Sequence, residues 1–128
     1  YKMVIVGTGN LGQALANYTK YYKLGFPIIG MFDVNPKIIG LRINDIEVMD
    51  SENLLDFLNS NHVDIGIITT DKAAAQSVAD KLVEGGVRGI WNFAPCDLKV
   101  PKNVPVENVH VTDTLNSLVY HIIHAEDD

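Results

Sequence analysis

Short apolar runs alternate along the chain with longer segments in which apolar residues recur every three or four positions. The short runs are rich in β-branched residues and end at glycine or polar residues, a pattern typical of strands buried on both faces of a sheet. We predict four such strands, at Tyr1–Gly7, Ile28–Asp33, Val63–Thr70 and Gly89–Asn92. The first strand is expected to lie at the centre of the sheet.

The intervening segments predict amphipathic helices, because their apolar residues fall on one helical stripe. The first stripe comprises Leu11, Ala14, Leu15, Tyr18 and Tyr22. The second comprises Leu54, Leu55 and Leu58, in a helix that Ser51 can cap. The third comprises Ala75, Val78, Ala79, Leu82 and Val83, and Gly85-Gly86 ends it. Strands alternating with helices predict an α/β fold: a doubly wound, mainly parallel sheet with helices on both faces.

Three segments are less regular. Leu41–Met49 is interpreted as an irregular segment with room for a short extended piece, and Val106–Val111 as a possible last strand. A final apolar helical stripe comprises Leu115, Leu118, Val119, Ile122 and Ile123. Few layers of the same domain remain for this helix to pack against. We therefore expect a domain at 1–112, followed at 113–128 by a helix and an acidic tail that belong to the same unit.

The composition is that of one globular domain: 128 residues, 47% of them hydrophobic. The single cysteine, Cys96, excludes an intramolecular disulfide and favours a reducing cytoplasm. The net charge of −6 disfavours DNA binding by this segment alone. No apolar run approaches the roughly 18 residues that span a bilayer, so no membrane partner is expected. The start at Tyr1 suggests a piece of a longer protein.

A glycine motif, G-x-G-x-x-G, follows the first predicted strand and opens the first predicted helix. It consists of Gly7, Thr8, Gly9, Asn10, Leu11 and Gly12. Asp33 ends the next strand, 21 residues after Gly12, which is the spacing of a dinucleotide-binding motif. Amide groups at the helix start can attract a pyrophosphate, and a carboxylate can accept the ribose hydroxyls while repelling a 2′-phosphate. The motif therefore favours NAD(H) over NADP(H); a glycine turn without a ligand is the alternative.

The ends of the third and fourth strands should lie beside the nicotinamide half of such a cofactor, because ligands bind across the carboxyl ends of parallel strands. These residues are Thr69, Thr70, Asn92, Phe93, Ala94 and Pro95. Hydroxyl and amide groups can bond to the ribose and carboxamide, and Phe93 can form an apolar wall. Ordinary capping of strand ends is the alternative for each of them.

No residue set predicts catalysis. Hydride transfer needs a positioned acid or base, and the chain has neither a Tyr-x-x-x-Lys pair nor a second domain to hold a substrate. His121 and His124 are interpreted as surface histidines, because a metal site needs a further ligand. Cys96 is interpreted as inert packing rather than a redox-active thiol, since it has no basic neighbour. We expect no enzyme activity and no metal.

The sequence resembles the C-terminal domain of the Rex family of redox-sensing repressors over nearly its whole length. The resemblance rests on four blocks: Val6–Leu15 with Asn17-Tyr18, Phe32–Pro36 with Gly40, Ala74–Gln76 with Val78–Asp80 and Leu82-Val83, and Gly85–Pro95 with Val100-Pro101. The last block is the most diagnostic. Two positions depart from the family pattern: His110 stands where aspartate is usual, and Thr70-Asp71 replaces Val-Pro.

The resemblance implies a cytoplasmic homodimer in which each Rossmann-like domain binds NADH or NAD+. A winged-helix domain absent from this chain would bind operator DNA, with NADH releasing it. The terminal helix would be exchanged between subunits near the partner's nicotinamide site, and Tyr18 matches a tyrosine that responds to the redox state of the cofactor. Three alternatives remain: the cofactor domain of an NAD-dependent dehydrogenase, a CoA-binding domain, and a dimerisation module with a vacant pocket.

Overall fold

A computed structural model describes residues 1–17, 24–109 and 118–125 of the chain. The strands are β1 (Met3–Val6), β2 (Ile28–Asp33), β3 (Arg42–Ile43), β4 (Ile46–Asp50), β5 (Ile65–Ile68), β6 (Gly89–Asn92) and β7 (Val106–Asn108). The helices are α1 (Asn10–Ala16), α2 (Leu54–Ser60), α3 (Lys72–Glu84) and α4 (residues 118–125). In these described ranges no helix is both long and apolar enough to cross a membrane.

The strands form one sheet in the order β3-β4-β2-β1-β5-β6-β7. β1 is central and pairs in parallel with β2 and β5, and β6 and β7 continue the parallel sheet on one side. On the other side β4 pairs in parallel with β2, while β3 runs antiparallel to β4. The fold is therefore a Rossmann-like, mainly parallel α/β sheet, as the alternation of strands and helices predicted.

The two faces of the sheet bury separate apolar clusters, because successive side chains of a strand point to opposite faces. Val4 and Val6 pack in one cluster with Leu54 of α2 and Leu82 of α3. Met3 and Ile5 belong to the other cluster, to which α1 contributes Ala16. All four residues of β1 are buried, which explains why its sequence is a continuous apolar run.

The apolar stripe predicted for the first helix is wrong, because a different side of α1 packs against the sheet. Leu11 and Ala14 are exposed, Leu15 is half-buried, and Gly12 and Ala16 are the buried residues of α1. A Cβ on Gly12 would collide with the carbonyl oxygen of Gly7. The helix therefore approaches the sheet through its smallest residues, which an apolar periodicity does not detect. Tyr18 and Tyr22 lie outside the described residues.

Two further predictions need correction. Part of Leu41–Met49 is not irregular but a β-hairpin, in which Asn44 and Asp45 have φ angles of 50° and 67°. Positive φ at both turn residues is the signature of a type I′ turn. Ser51 does not cap α2: it begins a 3₁₀ turn (Ser51–Asn53), which Asp50 caps by accepting the N–H of Glu52, and the N-cap of α2 is Asn53. Leu54 and Leu58 are buried as expected, whereas Leu55 is half-buried.

Candidate functional site

The carboxyl ends of four neighbouring strands meet along one edge of the sheet. Val6 pairs with Phe32 on one side and with Ile68 on the other, and Ile68 pairs with Asn92. The residues that follow these strand ends are therefore brought together: the glycine loop, Asp33, the Thr69-Thr70 pair and the turn at 92–95. This is the arrangement that the sequence predicted for the site.

Two glycines of the loop are required by the fold itself. Gly7 has a φ angle of +102°, and a Cβ there would lie 2.8 Å from the backbone of Thr69 and Thr70. Gly12 faces the carbonyl oxygen of Gly7, as described above. Both residues let the chain turn from β1 into α1 while α1 stays close to the sheet.

Gly9 differs from the other two glycines. Its φ angle of −74° is accessible to any residue, and a Cβ added to it would meet nothing within 4 Å. No neighbour among the described residues therefore requires glycine at this position. The open space in front of Gly9 allows a ligand to approach the backbone closely, and it fits the pyrophosphate of a dinucleotide.

The carboxylate of Asp33 is bound to three backbone amides. Its Oδ2 accepts the N–H of Thr8 at 2.6 Å, and its Oδ1 accepts the N–H groups of Val34 and Asn35 at 2.7 and 2.9 Å. A carboxylate offers about four acceptor positions, so about one remains for a ribose hydroxyl. The sequence suggested only the ribose role; the structure adds that Asp33 fixes the shape of the glycine loop.

The other predicted residues of the loop contribute mainly through their backbone. The side chain of Thr8 is fully buried, and its hydroxyl donates to the carbonyl of Phe32 at 3.0 Å. Asn10 and Leu11 are exposed at the start of α1. A residue that the sequence analysis missed, Gln13, donates its side-chain amide to the carbonyl of Thr8 at 3.1 Å and braces the loop from α1.

The two threonines after β5 have different environments. The Thr69 hydroxyl donates to the carbonyl oxygens of Gly7 and Val6 and so supports the loop. Thr70 is half-buried, and its hydroxyl donates to the carbonyl of Asp71 at 3.0 Å. Thr70 therefore faces the site, whereas Thr69 acts on it through the glycine loop.

Asn92 organises the turn that follows β6. Its buried side chain donates to the carbonyl of Cys96 at 3.0 Å and to Oδ1 of Asn108 at 2.9 Å, and it accepts the N–H of Ala94 at 3.0 Å. These bonds use both amide protons, so its N–H groups are directed at the protein. Phe93 is half-buried with its ring centroid 4.7 Å from that of Trp91, Ala94 is buried, and Pro95 is exposed.

A cavity of about 420 Å³ adjoins the glycine loop and Asp33. Thr70 lines it, together with residues that the sequence analysis missed: Ser51, Ser77 and Lys81. Ser77 and Lys81 lie four residues apart on α3, beside the apolar stripe. Residues at this spacing share one side of a helix, so the spacing of these two polar residues is a signal in the sequence for that side of the cavity. The cavity lies where the adenosine half of a dinucleotide is expected.

Other candidate residues lie elsewhere or outside the described part. Tyr18 and His110 are not among the described residues. Cys96 is half-buried in the turn after β6, where its N–H donates to the carbonyl of Ala94 at 2.8 Å. His121 and His124 lie on α4 with their rings against Tyr120. Among residues 1–17, 24–109 and 118–125, no three His, Cys, Asp or Glu side chains are grouped as metal ligands.

A separate charged cluster lies at the opposite edge of the sheet. The buried carboxylate of Asp64 accepts the N–H of Lys2 at 2.9 Å and contacts His62 Nε2 at 2.8 Å, with Arg88 at 3.7 Å. Burial raises the pKa of Asp64, but the bonds from Lys2 and His62 and the charge of His62 outweigh it, so the pKa lies below its ordinary value. This cluster joins the starts of β1, β5 and β6 and is remote from the candidate site.

Comparison with known proteins agrees with this geometry. Residues 1–96 match the family described as the CoA binding domain. The chain is 54% identical over 122 residues to the redox-sensing transcriptional repressor Rex of Clostridium botulinum strain Eklund 17B, an alignment that covers 95% of this chain and 58% of the relative. The chain thus spans about three fifths of the curated relatives that it matches, and these are named as repressors rather than enzymes.

Two solved structures of RSP, a Rex-family repressor, superpose on the chain. The complex of RSP with β-NADH gives a TM-score of 0.92 and covers 98% of this chain and 61% of RSP. The complex with β-NAD+ and operator DNA gives a TM-score of 0.93 and covers 98% and 58%; sequence identity is 51% in both. The chain therefore belongs to the CoA binding domain family, and over nearly its whole length it is homologous to the redox-sensing transcriptional repressors Rex.

Proposed function

We propose that this chain binds NADH and NAD+ and serves as the sensing and dimerisation part of a Rex-type transcriptional repressor. The observation that carries the proposal is the open space at Gly9, beside a carboxylate that already holds the glycine loop. The homology to RSP, whose structures contain NADH, NAD+ and operator DNA, supports the same assignment. Operator DNA would be bound by a part of the protein outside this chain, in the cytoplasm.

The residues divide into those that would contact the cofactor and those that position them. The backbone of Gly7–Gly12 would hold the pyrophosphate, Asp33 a ribose hydroxyl, and Phe93 and Pro95 the nicotinamide half. Thr70, which the sequence assigned to the nicotinamide half, lines the cavity at the adenosine half and would contact that part of the cofactor. Thr69 and Asn92 are assigned positioning roles, because their side chains bond to Gly7 and to the turn at 92–96. We assign no catalytic residue.

Selectivity for the reduced cofactor would follow from the polarity of the nicotinamide pocket. The nicotinamide ring is positively charged in NAD+ and neutral in NADH, and burying an unpaired charge is costly. Phe93 and the buried Ala94 give that end of the site an apolar wall. We therefore expect NADH to bind more tightly than NAD+. If the cofactor also has different affinities for two arrangements of the dimer, this difference is sufficient to couple cofactor binding to DNA release.

The dimer would form through α4, within the segment 113–128 that follows the domain at 1–112. Every residue of α4 is exposed, including five large apolar side chains from Leu118 to Ile123. Among the described residues, this run of exposed apolar side chains on α4 is a feature of protein interaction surfaces, which supports helix exchange between two copies.

CoA is the second candidate ligand, favoured by the match of residues 1–96 to the CoA binding domain family. The half-buried Lys81 at the cavity next to Asp33 could attract the additional phosphate that CoA carries on its ribose. The carboxylate of Asp33 would repel the same phosphate. The balance of these two charges makes CoA the less favoured ligand.

Titration of the chain with NADH, NAD+, NADPH and CoA tests the proposal. Trp91 is the only tryptophan of the chain, so its fluorescence reports binding, and calorimetry gives each affinity. We expect NADH to bind more tightly than NAD+, with little binding of NADPH or CoA. Equal affinities for NADH and NAD+ would favour a dehydrogenase domain, and preferential CoA binding would overturn the assignment.

A further inference from the structure

Gln76, on the exposed side of α3, makes two hydrogen bonds to the backbone of a single loop residue. Its side-chain oxygen Oε1 accepts the N–H of Lys99 at 2.8 Å, and its Nε2 donates to the carbonyl of Lys99 at 2.9 Å. Nε2 also donates to Oδ1 of Asp80, one turn later on α3, at 2.8 Å. The oxygen and the nitrogen of the Gln76 amide are thus both bonded. The carboxylate of Asp80 needs a donor, so its bond fixes which of the two atoms is the nitrogen.

The loop held by Gln76 begins at the nicotinamide end of the candidate site. It leaves β6 at Asn92 and runs through Phe93, Ala94 and Pro95 to Lys99. Asn92 anchors its start through the bonds to Ala94 and Cys96. Gln76 anchors the backbone of Lys99 to α3, between Leu98 and Val100, which pack against the core. The proposed nicotinamide wall lies next to the Asn92 anchor.

The two anchors differ in burial. Asn92 is fully buried, and its replacement would leave polar groups of the core without partners. Gln76 is only half-buried, and its bonds lie at the surface. Loss of the Gln76 side-chain amide therefore frees the backbone of Lys99 from α3 without creating a cavity in the core.

We propose that Gln76 is a positioning residue for the nicotinamide half of the cofactor, acting through the backbone of Lys99. The inference rests on the proposed function, because it requires that the chain bind a nicotinamide dinucleotide. Gln76 itself lies outside the cavity at the adenosine end. Its effect is therefore restricted to ligands that contact the turn at 93–95.

The two hydrogen bonds between the Gln76 side chain and the backbone of Lys99, called the clamp below, explain why an amide side chain stands at position 76. An amide side chain carries one acceptor oxygen and two donor hydrogens, which match the backbone C=O and N–H of one residue. A carboxylate has no donor, and an apolar side chain of the same size has neither group. Gln76→Leu therefore removes the clamp while keeping the side-chain volume nearly unchanged.

The test compares NADH with ADP-ribose, which carries the adenosine, pyrophosphate and second ribose but no nicotinamide. Calorimetry is run on the wild-type chain, on Gln76→Leu, and on Asn61→Leu as a matched control. Asn61 also bonds a backbone carbonyl through its side-chain amide, to Phe57 at 3.0 Å, but at the end of α2 and away from the loop. Hydrogen exchange at the Lys99 amide reports directly whether the clamp is lost, and thermal unfolding checks the fold.

We expect Gln76→Leu to weaken NADH binding by about tenfold, as the loss of two surface hydrogen bonds allows, and to leave ADP-ribose affinity unchanged. Exchange at Lys99 should accelerate in this variant alone. An equal loss of affinity for NADH and ADP-ribose, or no loss of affinity for either, would overturn the positioning role. A wild-type chain that binds neither ligand would overturn the proposed function and the inference with it, and the wild-type titration distinguishes that case.

Discussion

The carboxylate of Asp33, at the end of β2, accepts the backbone N–H of Thr8 in the glycine loop at 2.6 Å. Thr8 in turn donates its buried hydroxyl to the carbonyl of Phe32, the residue before Asp33. Thr8, which follows β1, is the donor of both bonds, and the end of β2 accepts both. The acid and the loop consequently form one structural unit, so the residue expected to bind the ribose also sets the shape of the loop expected to bind the pyrophosphate.

Asp33→Asn should weaken NADH and NAD+ binding alike, by about tenfold or more, because bonds to a charged acceptor contribute about 1.5–3 kcal/mol. The substitution keeps the side-chain size but replaces one acceptor oxygen with a donor. Calorimetric titration with both cofactors measures the change. Asp56→Asn, at an exposed position of α2, is the control and should bind both normally. Unchanged NADH affinity in Asp33→Asn would contradict its assignment to the ribose.

Gly9→Ala should abolish dinucleotide binding while leaving the fold intact. The added methyl group meets nothing within 4 Å in the described part of the chain, and an alanine at this N-cap should cost less than about 1 kcal/mol of unfolding free energy. The same methyl group would occupy the space into which the pyrophosphate must come. Thermal unfolding and NADH titration together separate the two effects.

Gly12→Ala is the informative comparison for Gly9→Ala. Its methyl group collides with the carbonyl of Gly7, and overpacking of this kind costs about 1–3 kcal/mol. We therefore expect Gly12→Ala to lower the unfolding temperature, which Gly9→Ala should not. Normal NADH binding by Gly9→Ala would show that the open space at Gly9 is not the phosphate site.

The sheet and the meeting of the site residues were predictable from the sequence. β1, β2, β5 and β6 are mostly buried and mostly apolar, so the sequence indicates each of these strands locally, and their parallel order follows from the helices between them. Gly7, Gly9 and Gly12 could be placed because the motif has a fixed relation to the end of β1. Once the order of strands is known, the common edge of their carboxyl ends follows.

Side-chain roles were less predictable, because they depend on partners distant in sequence. Thr69 and Asn92 looked like ligand groups, but Thr69 bonds to Gly7, 62 positions away, and Asn92 bonds to Asn108. The hairpin turn at Asn44-Asp45 lacks the glycine that usually marks a type I′ turn. Asn44 also donates to the carbonyl of Ala16 at the end of α1, a tertiary contact that no local pattern contains.

Asp64 should make the fold sensitive to acid. Its folded-state pKa lies below the ordinary value, so its contribution to stability is complete above the ordinary carboxyl pKa of about 4 and is lost as the pH falls through the folded-state pKa. Asp64→Asn should lower the unfolding free energy by about 2 kcal/mol at pH 7. The difference from wild type should shrink below about pH 4.

Urea unfolding at pH 7, 5 and 3 measures this effect. The groups near Asp64 include His62, Arg88 and the N-terminal ammonium of Tyr1, and all three remain in the variant. Asp56→Asn again serves as the control, since its exposed carboxylate should give a small difference at every pH. A difference between Asp64→Asn and wild type that stayed constant from pH 7 to pH 3 would contradict the linkage.

Because α4 is the proposed dimer interface, Ile122→Asp should convert the dimer into monomers. Ile122 is 49% exposed in the single chain, and Leu118 and Ile123 on the same helix are 56% and 53% exposed, so the substitution changes a surface position of the described part of the subunit. A charge buried in an apolar interface is costly unless it is paired. Sedimentation velocity over a range of concentrations measures the dissociation, with His121→Gln as the control on the same helix.

The same variant should bind NADH more weakly, because the exchanged helix is proposed to lie near the nicotinamide site of the other subunit. ADP-ribose affinity should change less, since that ligand lacks the nicotinamide ring. Deletion of residues 113–128 should reproduce both effects. A chain that remains dimeric after both changes would dimerise through another surface, and α4 would then have no part in coupling one subunit to the cofactor of the other.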